Sequence, residues 1–167
     1  RSPSRGLGDV YKRQKLLSDT NGDGEFDKVT LFAKNLSYPT SATAWKDGIL
    51  VAAPPNIVYL KDTDGDGVSD EKETFISGFK LGVTDSNLNS LRWNLDNWIH
   101  GANGGNGGNI YFTGKDEVKT PLRNLDFRFR PDIRRLETTS QTGGGFGLVF
   151  NEWGHSFTTY NLSLIHI

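Results

Sequence analysis

The sequence predicts an all-β fold, a partial β-propeller of about three blades, each a four-stranded antiparallel sheet. Three observations predict it: a repeat of 43 residues, many glycines and aromatic residues, and short runs of strand-forming residues. Apolar residues make up 35% of the 167 residues, below the usual globular share. This composition suits short strands and tight turns better than a helical bundle.

The repeat is carried by two acidic segments, which begin at Asp19 and, 43 residues later, at Asp62. The first reads LSDTNGDG from residue 17 and the second reads LKDTDGDG from residue 60. Propeller blades and HEAT-type helical repeats both have periods of about 40–45 residues, so the period alone leaves both open. The runs between the acidic segments favour strands, because none is long enough for an ordinary helix.

Short apolar and β-branched runs mark the predicted strands. The run 48–53 (GILVAA) is closed by Pro54 and Pro55, which prevent it from continuing into 56–60 (NIVYL) as one helix. In 126–130 (DFRFR) Phe alternates with Arg, which predicts one apolar and one polar sheet face. Further strands are predicted at 73–79, 90–93, 98–100, 110–113, 133–138 and 146–150.

The second acidic segment, 62–73 (DTDGDGVSDEKE), fits the calcium-loop pattern D-x-[DN]-x-[DN]-G-x5-E in full. Calcium binds six to eight hard oxygens, and alternate residues of a curling loop direct their carboxylates inward. Gly67, at the sixth position, permits the sharp turn that this loop needs. The predicted ligands are Asp62, Asp64, Asp66, the Val68 carbonyl, Asp70 and Glu73.

The first acidic segment is a weaker copy of the same pattern. Thr30 stands at the last position of the pattern and supplies no carboxylate, so Asp27 is expected to complete the set of calcium ligands. Strand-like runs flank both segments, so we expect calcium to stabilise β-hairpins rather than to drive a conformational change in a helical EF-hand. Solvated acidic turns and a dockerin-like pair are the alternatives. The predicted ligands here are Asp19, Asn21, Asp23, the Glu25 carbonyl and Asp27.

The Gly-rich segment 101–109 is predicted to be an inter-strand loop, because it lacks the glycine spacing and the Lys-Ser/Thr of phosphate-binding loops. Beside it lie His100, Arg92 and Asp96, which are candidates for proton transfer and substrate positioning. A structural role is the alternative for each, and His155 is a weaker candidate. The four tryptophans, at 45, 93, 98 and 153, are predicted to pack in the core or between blades, with stacking on a sugar as the alternative for one of them.

Composition excludes several functions within this chain. The net charge of −1 gives no reason to expect a nucleic acid partner, and no apolar run is long enough to span a membrane. The absence of Cys excludes disulfides, thiolate metal sites and a covalent c-type haem here. Segments 1–14 and 162–167 are expected to be non-native, adapter-derived tails, which leaves 15–161 as a propeller fragment.

Several ordered motifs resemble the membrane-bound dehydrogenase-like propellers of Planctomycetes and Verrucomicrobia, which are similar to quinoprotein glucose/sorbosone dehydrogenases. The motifs are DTNGDG at 19–24, WKDG at 45–48, VAAPP at 51–55, YLKDTDGDG at 59–67, LRWNLDNW at 91–98, GANG at 101–104, DFRF at 126–129 and FGL at 146–148. The resemblance implies a periplasmic or extracellular protein with calcium, and possible use of the quinone PQQ in the intact protein. It places any c-type haem in a downstream domain absent here.

Two functions follow from the resemblance and the residues. The first is oxidation of a small sugar or alcohol, with His100 as the base that takes the hydroxyl proton and Arg92 and Asp96 as positioning residues. The alternative is a non-catalytic propeller that binds a glycan or a protein and uses calcium only for stability. In both cases the expected partners include the remaining blades of the parent protein and, for the first, its haem domain.

Overall fold

The computed structural model describes residues 13–82, 86–114, 118–140 and 144–160. About half of the chain lies in strands, the strands form several antiparallel sheets, and the described residues contain no helix. The predicted all-β class is therefore confirmed. The predicted tails 1–14 and 162–167 lie largely outside the described residues, although Gln14 is the first residue of a strand.

Fourteen strands follow one another along the described chain. They are β1 Gln14–Ser18, β2 Lys28–Ala33, β3 Ser41–Trp45, β4 Gly48–Ala53, β5 Asn56–Lys61, β6 Glu71–Phe79, β7 Asn89–Trp93, β8 Ile99–Ala102, β9 Gly108–Phe112, β10 Thr120–Pro121, β11 Phe127–Arg130, β12 Arg135–Thr138, β13 Gly144–Phe150 and β14 Ser156–Tyr160.

The strands form four sheets. The hairpins β1–β2 and β13–β14 are two-stranded sheets at the two ends of the described chain. Between them lie a six-stranded sheet in the order β10-β9-β6-β5-β4-β3 and a four-stranded sheet in the order β12-β11-β8-β7. Strands β3 to β6 therefore form an antiparallel meander of four consecutive strands.

The hairpin β9–β10 leaves the four-stranded sheet and extends its neighbour. It lies between β8 and β11 in sequence, but Phe112 of β9 pairs with Ile76 of β6. The ring of Phe112 also packs edge-on against Phe75, at 5.4 Å between centroids. Burial of this aromatic contact favours adding the hairpin to the free edge of β6. The sequence predicted the strand but not the sheet that it joins.

The main hydrophobic core lies between the six-stranded and the four-stranded sheet. Phe79 packs on Phe127 at 5.0 Å, and Phe112 packs on Phe129 at 6.3 Å between ring centroids. Both phenylalanines of β11 are fully buried, as their alternation with arginine predicted. Burial of each such side chain contributes about 1.5–3 kcal/mol.

A second core covers the opposite face of the six-stranded sheet. Val51, Val58 and Leu60 pack there against Ala33 at the end of β2 and against Leu36. The main-chain N–H of Ser69 also donates to the carbonyl of Phe32, at 2.8 Å. The hairpin β1–β2 is thereby attached to the six-stranded sheet.

The first strands of successive sheets lie beside one another. The N–H of Leu91 in β7 donates to Ser41 Oγ of β3 at 2.9 Å, and the Trp93 indole N–H donates to the Ala44 carbonyl at 2.9 Å. On the other side of β7, the N–H of Gly147 in β13 donates to Asn89 Oδ1 at 3.1 Å. Strand β7 is therefore flanked by β3 and β13.

The tryptophans do not share one environment, in contrast to the prediction. Trp45 packs at the main core, 5.2 Å from Tyr59 and 5.1 Å from Phe75 between ring centroids. Trp153 is 72% exposed because it lies in the turn between β13 and β14, which no described sheet covers. In the described part of the chain we find no helical segment with the length and apolarity needed to cross a bilayer.

Candidate functional site

The second acidic segment forms the loop between β5 and β6, so strands flank it on both sides as predicted. The carboxylate of Asp62 accepts hydrogen bonds from the N–H groups of Gly65 at 2.7 Å and Gly67 at 2.8 Å. Gly67 has φ of +88°, a conformation that only glycine adopts without strain. The loop thus curls around the carboxylate at its first position.

Three acidic side chains of this loop come together. Carboxylate oxygens of Asp62, Asp64 and Asp70 all lie within 4.8 Å of one another. Asp70 is held in place by the backbone N–H and the hydroxyl of Thr63, both at 2.8 Å. The Thr63 N–H and hydroxyl bonds lower the pKa of the Asp70 carboxyl, which keeps it charged. The arrangement is a cluster of negative oxygens on a pre-shaped loop.

The other predicted ligands of this loop lie in different places. Asp66 Oδ1 accepts from the Val68 N–H at 2.7 Å, inside the loop but outside the group of three. Glu73 lies in β6, where it pairs with Tyr59 of β5. The last position of the calcium-loop pattern therefore falls within the sheet, and Asp70 is the carboxylate that closes the loop.

The first acidic segment forms the equivalent loop between β1 and β2. Asp19 accepts from the N–H groups of Gly22 at 2.6 Å and Gly24 at 2.9 Å, and these bonds lower its pKa. Asp27 accepts from the hydroxyl of Thr20 at 2.6 Å and from its N–H at 3.0 Å, which lowers the pKa of Asp27. The two loops therefore share the same pattern of hydrogen bonds to their first and last aspartates.

The remaining side chains of the first loop also point into it. Asn21 Oδ1 accepts from the Asp23 N–H at 2.9 Å, and Asn21 Nδ2 donates to Asp23 Oδ2 at 2.9 Å. Asp23 Oδ1 accepts from the Glu25 N–H at 2.7 Å. An amide replaces a carboxylate at the third position, so this loop has three carboxylates at the side-chain ligand positions of the pattern, where 62–70 has four.

Only the second of the two loops is seated on a neighbouring sheet. A methyl group at Gly67 would lie 3.3 Å from Thr30 Cγ2 and 3.6 Å from Leu16 Cδ2, so the loop touches both strands of the first hairpin. At Gly24, the equivalent position, an added methyl group would meet nothing within 4 Å. Loop 62–70 therefore joins two sheets, whereas loop 19–27 is open to solvent.

The structure brings together two of the three predicted catalytic residues. His100 Nε2 lies 2.9 Å from Asp96 Oδ2. Arg92 is on the neighbouring strand, in register with His100. The ring of His100 is mostly covered and lies edge-on to Phe150, 5.0 Å between centroids. A carboxylate that is hydrogen-bonded to one ring nitrogen commonly fixes the orientation of a histidine ring.

Asp96 also belongs to a larger ionic network. Arg128 Nη1 donates to Asp96 Oδ2 at 3.0 Å, and Arg128 Nε and Nη2 donate to Glu137 Oε2 at 3.0 and 2.7 Å. Burial by itself raises the pKa of Asp96. The bonds from His100 and the Trp98 N–H, with the charges of His100 and Arg128, lower that pKa overall.

The network continues to the edge of the sheet. Arg135 Nη2 donates to Glu137 Oε1 at 2.6 Å, and the guanidinium groups of Arg128 and Arg135 lie 4.6 and 5.7 Å from the Trp98 ring centre. Hydrogen bonds from Arg128, followed by the charges of both arginines, lower the pKa of Glu137 despite some desolvation. We call the set Asp96, His100, Arg128, Arg135 and Glu137 the charged face.

Two cavities border this region. His100 lines a small one of about 90 Å³ beneath the β13–β14 hairpin, together with Asp126 and Asn94. Arg92 lines a separate open groove of about 490 Å³ between β3 and β7, with Trp93 beside it. The first has room for about three waters, whereas the second has the volume of a small-molecule site.

Sequence reasoning missed Arg128 as a partner of Asp96, and it missed Glu137 and Arg135 as further members of the same network. It assigned the arginines near β11 to an exposed strand face, and the structure shows a half-buried Arg128 that pairs with two carboxylates. The available signal was the register of the β11–β12 hairpin, which places Arg128 directly opposite Glu137. His155 is exposed in a turn, and its Nδ1 lies 3.3 Å from Asn151 Nδ2.

The comparisons with known proteins identify the family. The chain matches the domain family DUF7133, a domain of unknown function, over residues 4–166. It therefore belongs to this family. No curated protein and no solved structure matches the chain.

Proposed function

We propose that this chain is a calcium-binding β-propeller module in which the cation holds the β5–β6 hairpin and fixes it against the first sheet. The observation that carries the proposal is the meeting of the Asp62, Asp64 and Asp70 carboxylates within 4.8 Å. At about 4 Å, each pair of unit charges repels by about 1 kcal/mol even in bulk water. A divalent cation converts that repulsion into attraction.

The loop offers the oxygen ligands that calcium prefers. Asp62, Asp64 and Asp70 supply carboxylates, and Asp66 and the Val68 carbonyl lie in the same turn. Calcium takes six to eight oxygens and tolerates flexible geometry, so water completes the shell. The loop 19–27 is proposed as a second, weaker site, because Asn21 replaces a carboxylate there.

The arrangement of the sheets supports the propeller part of the proposal. Strands β3, β7 and β13 lie side by side, and each begins an antiparallel sheet or hairpin. Propeller blades have their first strands together around a central channel. The two acidic loops occupy equivalent hairpins 43 residues apart, as expected of successive blades.

Calcium titration of the whole chain by calorimetry and by thermal unfolding tests the proposal. The double variant Asp64→Ala/Asp66→Ala is compared with Asp132→Ala/Glu152→Ala, which removes the same charge outside both loops. Calcium at 1,000 times Kd is expected to stabilise the protein by about 4 kcal/mol. The loop variant is expected to lose most of this gain, and the control variant to keep it.

Two outcomes would contradict the proposed calcium site. A folded protein whose melting temperature does not respond to millimolar calcium would show that both loops are ordinary acidic turns. Magnesium provides a further comparison, because its strict octahedral geometry suits this flexible loop less well. A response that is equal for both ions would contradict a calcium-specific site.

The second candidate function is the quinoprotein-like oxidation of a sugar or alcohol by an exported protein, located in the periplasm or outside the cell. The pairing of His100 with Asp96 at 2.9 Å favours it, because the carboxylate holds the imidazole in one orientation. In this hypothesis His100 would take the substrate hydroxyl proton, and a bound PQQ would supply the hydride acceptor. Reduction of a dye by the PQQ-treated protein with glucose or ethanol, lost in His100→Gln, would support it over a non-catalytic propeller.

A further inference from the structure

A third cavity lies between the β9–β10 hairpin and the β11–β12 hairpin and shares no described lining residue with the two cavities above. Its volume of about 580 Å³ is typical of small-molecule sites. Both walls belong to the large central sheets, because β9–β10 extends the six-stranded sheet and β12 is an edge of the four-stranded sheet. We call it the β10–β12 groove, and its lining includes Phe112, Val118, Ile133, Arg134, Arg135 and Leu136.

Much of the lining of the β10–β12 groove is apolar, although part of it is open to solvent. Phe112 belongs to the main core and Leu136 packs against that core. Val118 and Ile133, which come from the two different hairpins, are 78% and 56% exposed. Single exposed apolar side chains are ordinary, but several around one cavity form a surface that a ligand can cover.

The β11–β12 turn places a cationic group on this apolar surface. Arg134 has φ of +50°, in the left-handed region that Gly and Asn adopt more readily than Arg. Its guanidinium lies 5.1 Å from the ring centre of Phe112 and 5.5 Å from that of Phe75. Its Nη2 also donates to the Thr113 carbonyl. These contacts with the neighbouring sheet fix the position of the guanidinium at the groove.

Arg134 differs from the other arginines of the same hairpin in its partners. Arg128 pairs with Glu137 and Asp96, Arg130 pairs with Asp132, and Arg135 pairs with Glu137. Within the described part of the chain, Arg134 has no carboxylate partner and donates to the Thr113 carbonyl. A guanidinium carries several N–H donors, so the others stay available to an anion in the groove.

We propose that the β10–β12 groove binds a small organic carboxylate with an apolar body, such as a medium-chain fatty acid. The carboxylate accepts charge-assisted hydrogen bonds from Arg134, whose planar guanidinium matches both carboxylate oxygens. The apolar body covers Val118, Ile133 and Leu136. A simple anion would leave the apolar walls uncovered, and an alcohol would leave the cation unpaired, so the two features together select an amphipathic acid. The inference rests neither on calcium binding nor on the propeller arrangement.

Octanoate tests this proposal beside matched compounds that lack one of its two parts. Calorimetric titration of the whole chain is expected to show saturable binding of octanoate. Octanol and octylamine are expected to bind at least about tenfold more weakly, because neither makes the charge-assisted hydrogen bonds. Hexanoate is expected to bind more weakly than octanoate by up to about fourfold for each methylene group removed.

Variants of the groove locate the binding. Arg134→Met keeps much of the side-chain volume without the charge, and is expected to weaken octanoate binding about tenfold or more. Lys34→Met removes the same charge from an exposed residue between β2 and β3, and is expected to leave binding unchanged. Ile133→Glu places a carboxylate in the turn beside Arg134 and is expected to abolish binding. Thermal unfolding of each variant shows that it is folded.

The outcomes are distinct from those of the calcium experiment. Octanoate binding that depends on Arg134 and on the carboxylate supports the proposal whether or not calcium binds. A folded chain that does not bind octanoate overturns it, as does equal binding of octanoate and octanol or equal binding by the wild type and Arg134→Met. Asp116 and Glu117 precede Val118 in the sequence. Binding that appears only in Asp116→Asn/Glu117→Gln would mean that the chain's own carboxylates occupy the groove, and would also overturn the proposal.

Discussion

The two faces of the four-stranded sheet are built from the same strands, but one makes apolar contacts and the other makes ionic contacts. On one face, Phe127, Phe129 and Ile99 are fully buried against the six-stranded sheet. On the other, His100 and Arg128 sit beside each other in register and form the charged face. Alternate residues of one strand thus enter an apolar interface and an ionic one.

The difference lies in what each face holds together. The apolar face joins two sheets, because burial is non-directional and grows with the area covered. The charged face mostly joins strands of its own sheet, since Arg128 of β11 reaches Glu137 of β12 and Asp96 before β8. Its contact with the last hairpin is the edge-on packing of the His100 ring on Phe150, at 5.0 Å between centroids. Sheet-to-sheet stability therefore comes from the phenylalanines.

The largest effect is expected from the apolar face. Phe127→Ala removes a fully buried ring that touches Phe79 and Phe129, and is expected to lower the free energy of unfolding by about 3–5 kcal/mol. Urea unfolding followed by tryptophan fluorescence measures it. Phe26→Ala, at an exposed phenylalanine in loop 19–27, is the control and is expected to cost less than about 0.5 kcal/mol. Equal losses in the two variants would contradict the comparison.

A smaller effect is expected from the charged face. Arg128→Met keeps much of the side-chain volume but removes the guanidinium from Asp96, Glu137 and Trp98. Because this group is about one-third exposed, the expected loss is on the order of 1 kcal/mol in urea unfolding. Arg128→Lys keeps the charge but loses the pair of hydrogen bonds to Glu137. Its free energy of unfolding is expected to lie between those of the wild type and Arg128→Met. A loss as large as that of Phe127→Ala would mean that the charged face also holds the sheets together.

The smallest expected effect is a dependence of the protein's stability on pH. Folding lowers the pKa of Asp96 and of Glu137, so their contribution is present above the unfolded values, near 3.8 and 4.5, and is lost as pH falls through the folded values. The gap in melting temperature between the wild type and Arg128→Met is therefore expected to shrink from pH 6 to pH 3. A gap that stays constant would contradict a role for these carboxylates. The gap between the wild type and Phe127→Ala is expected to stay constant over the same range.

Local pattern was enough to predict much of this molecule. The run 48–53 is β4 with the same bounds, and both acidic segments are hairpin loops between strands. The alternation in DFRFR correctly assigned Phe127 and Phe129 to the core. The calcium-loop pattern also found the three carboxylates that converge, because their spacing along one tight loop sets their geometry. Calcium itself, the propeller and the oxidation of a sugar or alcohol stay predictions.

Contacts between distant segments could not be predicted in the same way. Nothing local indicated that β9 pairs with β6 rather than with its own neighbours, or that Glu73, the last position of the calcium-loop pattern, lies within β6. The network from His100 to Arg135 depends on the register of three strands, and the sequence pattern singled out only His100 and Asp96 among its members.

The sequence by itself determined the strand class, the two acidic loops and the two-faced character of β11. All of these follow from residues within one turn or one strand, where the backbone period decides which side chains share a face. Only the tertiary structure decided which sheet each hairpin joined and which carboxylate met which arginine. It also decided that loop 62–70, unlike loop 19–27, is seated on a neighbouring sheet. These depend on burial and register between segments far apart in the chain, where many pairings satisfy the same local pattern.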